Sequence, residues 1–105
     1  MKLWLDDVRT MPSEYDFHAK TAKEAISILS KNIVEFISFD HDLGYNGEGT
    51  EENGATVAHF IEQEVFHGNI NMPQWKIHSA NPVGVMNIER AKKSAERFRK
   101  RNEDQ

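Results

Sequence analysis

Three short apolar runs in this chain each stop at side chains able to bind a cation, hold a phosphate or move a proton. Leu3-Trp4-Leu5 ends in Asp6-Asp7, the run from Val34 to Phe39 ends in Asp40-His41-Asp42, and Trp75-Lys76-Ile77 ends in His78-Ser79. Asp6, Asp7 and Asp40 together have the chemistry of a site for Mg²⁺ or another hard divalent cation, which takes oxygen ligands and retains waters. Without a cation their mutual repulsion would raise at least one pKa. His41 and His78 supply rings that titrate near neutrality, so one can take a proton while the other gives one. Two histidines on opposite sides of a phosphate suit the opening of a cyclic phosphodiester. Ser79, Asn81 and the amides that follow them could hold phosphoryl oxygens at a helix start. Arg9 could neutralise phosphate or pair with an aspartate. Asp42 is a supporting acid whose part is the least defined.

These side chains act together only if the runs are neighbouring strands. Short β-branched or aromatic runs bounded by polar residues read as strands buried on both faces, the pattern of a parallel sheet covered by helices. Ligands in such sheets bind outside the carboxyl ends of the strands, where all three polar clusters would then lie. Taken singly, each acidic end has a plain structural explanation, because aspartate commonly caps turns and helices. Three reactive ends on three strands, two acidic and one His-Ser, favour a site. His18, His59 and His67 are read as surface or packed residues, and Trp4 and Trp75 as core residues of their strands.

The connecting segments fit this order. Val8 to Tyr15, with Met11-Pro12-Ser13, lacks helical periodicity and reads as a loop. Asp16 to Ala19 is a brief strand. Thr21 followed by Glu24 is a capping box ahead of a helix with Ala25, Ile28 and Leu29 inward, ending near Asn32. Leu43 to Gly54, rich in glycine, is a loop suited to act as a lid. A helix from Ala55 to about Phe66 turns Val57, Ala58, Ile61 and Val65 inward and stops at His67-Gly68-Asn69. Gln74 to Ala80 is a strand, and Asn81-Pro82 starts a last helix striped by Ile88, Ala91, Ala95 and Phe98. The final residues, 101–105, should fray. The order β, loop, β, α, β, α, β, α requires a small α/β fold with a mainly parallel four-stranded sheet and flanking helices.

Composition sets the outer limits. At 105 residues, with 38% hydrophobic and 29% charged, the chain reads as one globular domain over residues 1–105. No apolar run approaches the roughly 20 residues of a membrane span, and MKLWLDDVR turns acidic too early for a signal peptide. No membrane partner and a cytoplasmic location are the expectation. Absence of cysteine excludes disulfides and thiolate chemistry. The net charge of −4 hides a basic run in the last helix, from Arg90 to Arg101, read as a solvated face or as an attraction for a phosphate-rich ligand.

LWLDDVR, FISFDHDLG and IHSANPVG resemble the three signature segments of the cyclic-phosphate-processing receiver-like domains, a branch of the response-regulator receiver fold found in phages and bacteria. The resemblance runs from Lys2 into the last helix. It implies a truncated receiver-like, flavodoxin-like three-layer fold. In ordinary phosphoacceptor receivers the acidic pair would correspond to Asp6 and Asp7, the phosphorylated aspartate to Asp40 and the hydroxyl residue to Ser79. The first receiver helix is reduced here to the 8–15 loop, and the fifth strand with its lysine has no counterpart, which removes the relay of a phosphorylation switch. The resemblance implies a phosphoesterase-type enzyme acting on a cyclic phosphate of a nucleotide, RNA end or ADP-ribose derivative. The alternative is a non-catalytic receiver-like module that binds a partner protein or sequesters a phosphorylated nucleotide, in a phage setting as a block on a host signal. A phosphoacceptor switch on Asp40 comes third. An open strand edge would favour a homodimer.

Overall fold

The computed structural model describes residues 1–40, 53–79 and 81–103. Its elements follow the expected order: β1 (Lys2–Leu5), β2 (Phe17–Ala19), α1 (Ala22–Lys31), β3 (Phe36–Phe39), α2 (Gly54–Phe66), β4 (Gln74–Ile77) and α3 (Pro82–Glu103). The four strands form one sheet, ordered β2-β1-β3-β4, and every pairing is parallel. β3 begins at Phe36, two residues into its apolar run, and β4 stops at Ile77, where the run becomes polar, short of the expected Ala80.

Period-two alternation divides the sheet into two chemically distinct faces. Leu3, Leu5, Ala19, Ile37, Phe39 and Trp75 belong to one buried cluster with Ala22, Ala25 and Leu29 of α1, Val57, Ala58, Ile61 and Val65 of α2, and Ile88 and Ala91 of α3. The helices therefore share the core built on this face. Phe98, the last member of the α3 stripe, is partly buried and meets Phe66 edge-on at 4.8 Å between ring centroids.

The alternate residues face the other way. Register places His18, Trp4, Ser38 and Lys76 in one row across the strands. This side is covered by the connection between β1 and β2 rather than by a helix, in keeping with the truncation. Tyr15 from that connection is buried, with its ring 5.1 Å from Trp4 and 6.2 Å from Phe36. Asp16 fixes the connection by accepting the Lys2 amide on its side chain while its own amide donates to the Lys2 carbonyl.

Helix ends follow their sequence signals with two differences. Thr21 caps α1 by accepting the Glu24 amide, but the Glu24 carboxylate accepts from the Lys20 amide, so the reciprocal half of the expected capping box is not formed with Thr21. A complete box occurs instead at Asn53 and Thr56, at the start of α2. Gly68 follows the α2 cap at φ 74, a left-handed conformation that glycine adopts without steric cost. The last helix continues to Glu103, beyond the point where fraying was expected. Because Ile61 is completely buried, Ile61→Ala should destabilise the fold by about 2–5 kcal/mol, read as a lower urea midpoint with an unchanged denaturant slope.

Candidate functional site

The ladder between strands runs one residue past the strand ends. The Asp40 amide donates to the Leu5 carbonyl at 2.9 Å and the His78 amide to the Phe39 carbonyl at 2.9 Å. Asp6, Asp40 and His78 thereby form the next row of the Trp4 face, immediately outside the sheet. The crevice between β1 and β3 is where the strand order reverses, the favoured ligand position in open parallel sheets.

Asp6 is the deepest member of this row, with no solvent exposure. A buried carboxylate is tolerated only when hydrogen-bonded or paired. Its Oδ1 accepts the amides of Val8 and Arg9, both at 2.8 Å, which folds the DDVR segment into a tight turn around it. Its Oδ2 lies 2.9 Å from His78 Nε2 and 3.9 Å from Arg9 Nε. Burial alone would raise the Asp6 pKa. The amides of Arg9 and Val8 and the His78 ring outweigh it and hold the carboxyl below its ordinary 3.8.

His78 is held at both nitrogens and on one face. Nε2 meets Asp6, Nδ1 lies 2.7 Å from Ser38 Oγ, and the ring stacks on Trp4 at 4.1 Å with planes 1° apart. An ionised Asp6 only accepts, so Nε2 carries the proton and Nδ1 accepts from the Ser38 hydroxyl. Burial pushes the His78 pKa below 6.5, against the hydrogen bond and charge of Asp6 and the charge of Asp40. The trio has the composition of a serine-hydrolase triad but not its function. Ser38 has no solvent exposure, and the serine and aspartate sit on the opposite ring nitrogens from the triad arrangement.

Among the described residues, the remaining expected ones occupy the same edge. Arg9 is half exposed and donates from Nη1 to the His78 carbonyl, bridging the ends of β1 and β4. Carboxylate oxygens of Asp6, Asp7 and Asp40 all lie within 4.8 Å of one another. Ser79 Oγ accepts the Asn81 amide at 3.1 Å. Asn81 caps α3, its Oδ1 accepting the amides of Val83 at 3.1 Å and Gly84 at 3.2 Å. In this conformation those two amides face Asn81 itself. His41 and Asp42 lie outside the described residues, as does most of the 43–54 loop.

Two contributors were not among the expected site residues. Ser38 and Trp4 hold the His78 ring. The signal for Ser38 was a hydroxyl inside the apolar run FISF, on the same strand face as Asp40 two residues later. His18, read as packed, bonds through Nε2 to the Asp6 carbonyl at 2.8 Å and braces the same turn from β2. A concavity of about 360 Å³ lies at the opposite end of the sheet, between the α1–β3 and α2–β4 connections. Its lining of Asn32, Asn69, Asn71, Ser30 and Lys31 with apolar neighbours holds no acid or histidine.

Comparison with known families adds one finding. The family model described as the cyclic-phosphate processing receiver domain matches residues 1–94. The chain belongs to this family. No curated protein and no solved structure matches it. In this receiver domain the matched span includes β1, β3 and β4 and therefore the whole row of Asp6, Asp40 and His78. No helix among the described residues is long and apolar enough to cross a membrane.

The shifted groups set a pH dependence for this receiver domain. A histidine with its pKa depressed below 6.5 binds its proton more readily in the unfolded chain. Its contribution to stability is complete above that value and is lost as pH falls through the folded-state pKa. Asp6, depressed below 3.8, adds a second loss in stronger acid. The urea midpoint should therefore fall as pH drops below 6.5, and His78→Gln should flatten that first phase while leaving the second.

Proposed function

We propose that the protein is a phosphoesterase opening a cyclic phosphate on a nucleotide, an RNA end or an ADP-ribose derivative, at the crevice bounded by Asp7, Arg9 and Asp40. The observation carrying this reading is the convergence of three aspartates and a half-exposed arginine on the β1/β3 crevice. Hydrolysis joins a water oxygen to phosphorus and breaks one ester P–O bond. The proton from water goes to a base, and the departing alkoxide takes one from an acid, leaving a phosphomonoester and a free hydroxyl.

Arg9 is the cation suited to the phosphoryl oxygens, joined by the hydroxyl of Ser79 at the start of α3. Asp40 and Asp7 are suited to orient the entering water. His41 follows Asp40 directly and is the proton-transfer group on this reading. His78, expected from sequence to share that work, has both nitrogens engaged by Asp6 and Ser38. Its service here is to hold Asp6 in place, and Asp42 supports His41.

The acidic trio fits a divalent cation. Octahedral Mg²⁺ with bonds of about 2.1 Å sets ligand oxygens about 3 to 4 Å apart, so oxygens spread over 4.8 Å need a small inward movement. Asp6 Oδ2 retains a lone pair after its bond to His78. Asp6, Asp7 and Asp40 would hold the ion, which when bound supplies charge stabilisation to the phosphoryl oxygens. Chelation should then abolish turnover, and Mg²⁺ should restore it.

A second reading has its own support. With His78 fully engaged, one of the two expected proton-transfer rings is not free, which favours a module that captures a phosphorylated nucleotide without turnover. Phosphorus NMR with 2′,3′-cyclic nucleotides and ADP-ribose cyclic phosphate separates the two. Conversion of the cyclic resonance to a monoester, reduced at least about 100-fold by His41→Ala and by Asp40→Asn, supports the enzyme. Binding shifts with an intact cyclic phosphate, preserved in His41→Ala, support capture instead.

A further inference from the structure

We infer that Ser38 is a positioning residue of the site: its buried hydroxyl holds the ring of His78, and through that ring the carboxylate of Asp6. The inference rests on the proposed function only for its kinetic readout. Ser38 is enclosed between Ile37 and Phe39 in β3, all three without solvent exposure. A hydroxyl there is unfavourable unless bonded, and its described partner is His78 Nδ1 at 2.7 Å, contributed from beyond β4.

Two further contacts remove the remaining freedom of the ring. Trp4, the register partner of Ser38, covers one face at 4.1 Å, and Asp6 Oδ2 takes Nε2–H at 2.9 Å. Rotation about the bond to the ring would break both nitrogen contacts at once. The consequence is carried to Asp6. Oδ1 accepts two amides and Oδ2 accepts the ring, so a single acceptor direction remains at Oδ2. That direction is fixed by where the ring stands. Ser38, buried and out of reach of any ligand, thus sets the geometry of an acid whose carboxylate lies within 4.8 Å of those of Asp7 and Asp40.

The test begins with the unaltered protein. A long-range proton–nitrogen correlation spectrum near neutral pH should show His78 as a single neutral Nε2–H tautomer, its ring protons displaced by the Trp4 ring current. An Nδ1–H tautomer, or averaging over ring orientations, overturns the inference without any variant. Ser38→Ala should then reduce the ring-current displacement and lower kcat about 10- to 100-fold with KM little changed, the usual effect of losing an orienting partner. Ser38→Thr, which retains the hydroxyl, should restore both. An Ala variant with a native amide spectrum, wild-type His78 shifts and wild-type kcat would contradict the inference. If no cyclic phosphate is hydrolysed by any form, the proposed function fails, while the tautomer and ring-current signals still decide the role of Ser38.

Discussion

The structure depends on a carboxylate that is both buried and charged. Asp6 has no exposure, yet its neighbours keep its pKa low, so donors must meet it from several directions. They come from two separated strand ends: the amides of Val8 and Arg9 from the turn after β1, and the His78 ring from beyond β4. Hydrogen bonds to a charged group are each worth about 1.5–3 kcal/mol, and losing one partner leaves a buried charge partly unmatched. The same bonds that stabilise Asp6 therefore draw the strand ends into one fixed constellation.

Topology explains why this constellation can serve chemistry. In the order β2-β1-β3-β4, the chain leaves β1 toward one edge and leaves β3 toward the other, so a crevice opens between their carboxyl ends. Asp6 and Asp40 stand on its two sides in one register row. With the β1–β2 connection folded back so that Tyr15 packs on Trp4 and Phe36, the face below this row is closed by aromatic rings rather than a helix. A short, largely apolar scaffold thus supports a rim that is almost wholly polar.

Much of this was legible in the sequence because the signals were local. Each strand announced itself by a short apolar run, and the inward faces of α2 and α3 followed from the spacing of Val57, Ala58, Ile61 and Val65 and of Ile88, Ala91 and Ala95. Asn81-Pro82 marked the start of α3 through cap chemistry that needs only neighbouring residues. The nonlocal pairings were not legible. Ser38 and His78 are 40 positions apart and Asp6 and His78 are 72 apart, so no spacing rule joins them. The expectation that His78 transfers protons was drawn without these two contacts for that reason. Glu24 shows the same limit on a small scale: the motif predicted a bond to Thr21, and the side chain chose the adjacent amide of Lys20.

On the proposed reading, phosphate chemistry belongs to the β1/β3 crevice rather than to the concavity at the other end of the sheet. The most direct measurement is amide chemical-shift mapping during titration with a slowly hydrolysed 2′,3′-cyclic phosphorothioate nucleotide. The account predicts saturable shifts concentrated at Asp7, Arg9, Asp40 and Ser79, with little change at Ile33 and Asn69 to Asn71. Shifts concentrated instead at Ile33 and Asn69 to Asn71, with the strand ends unmoved, would contradict it.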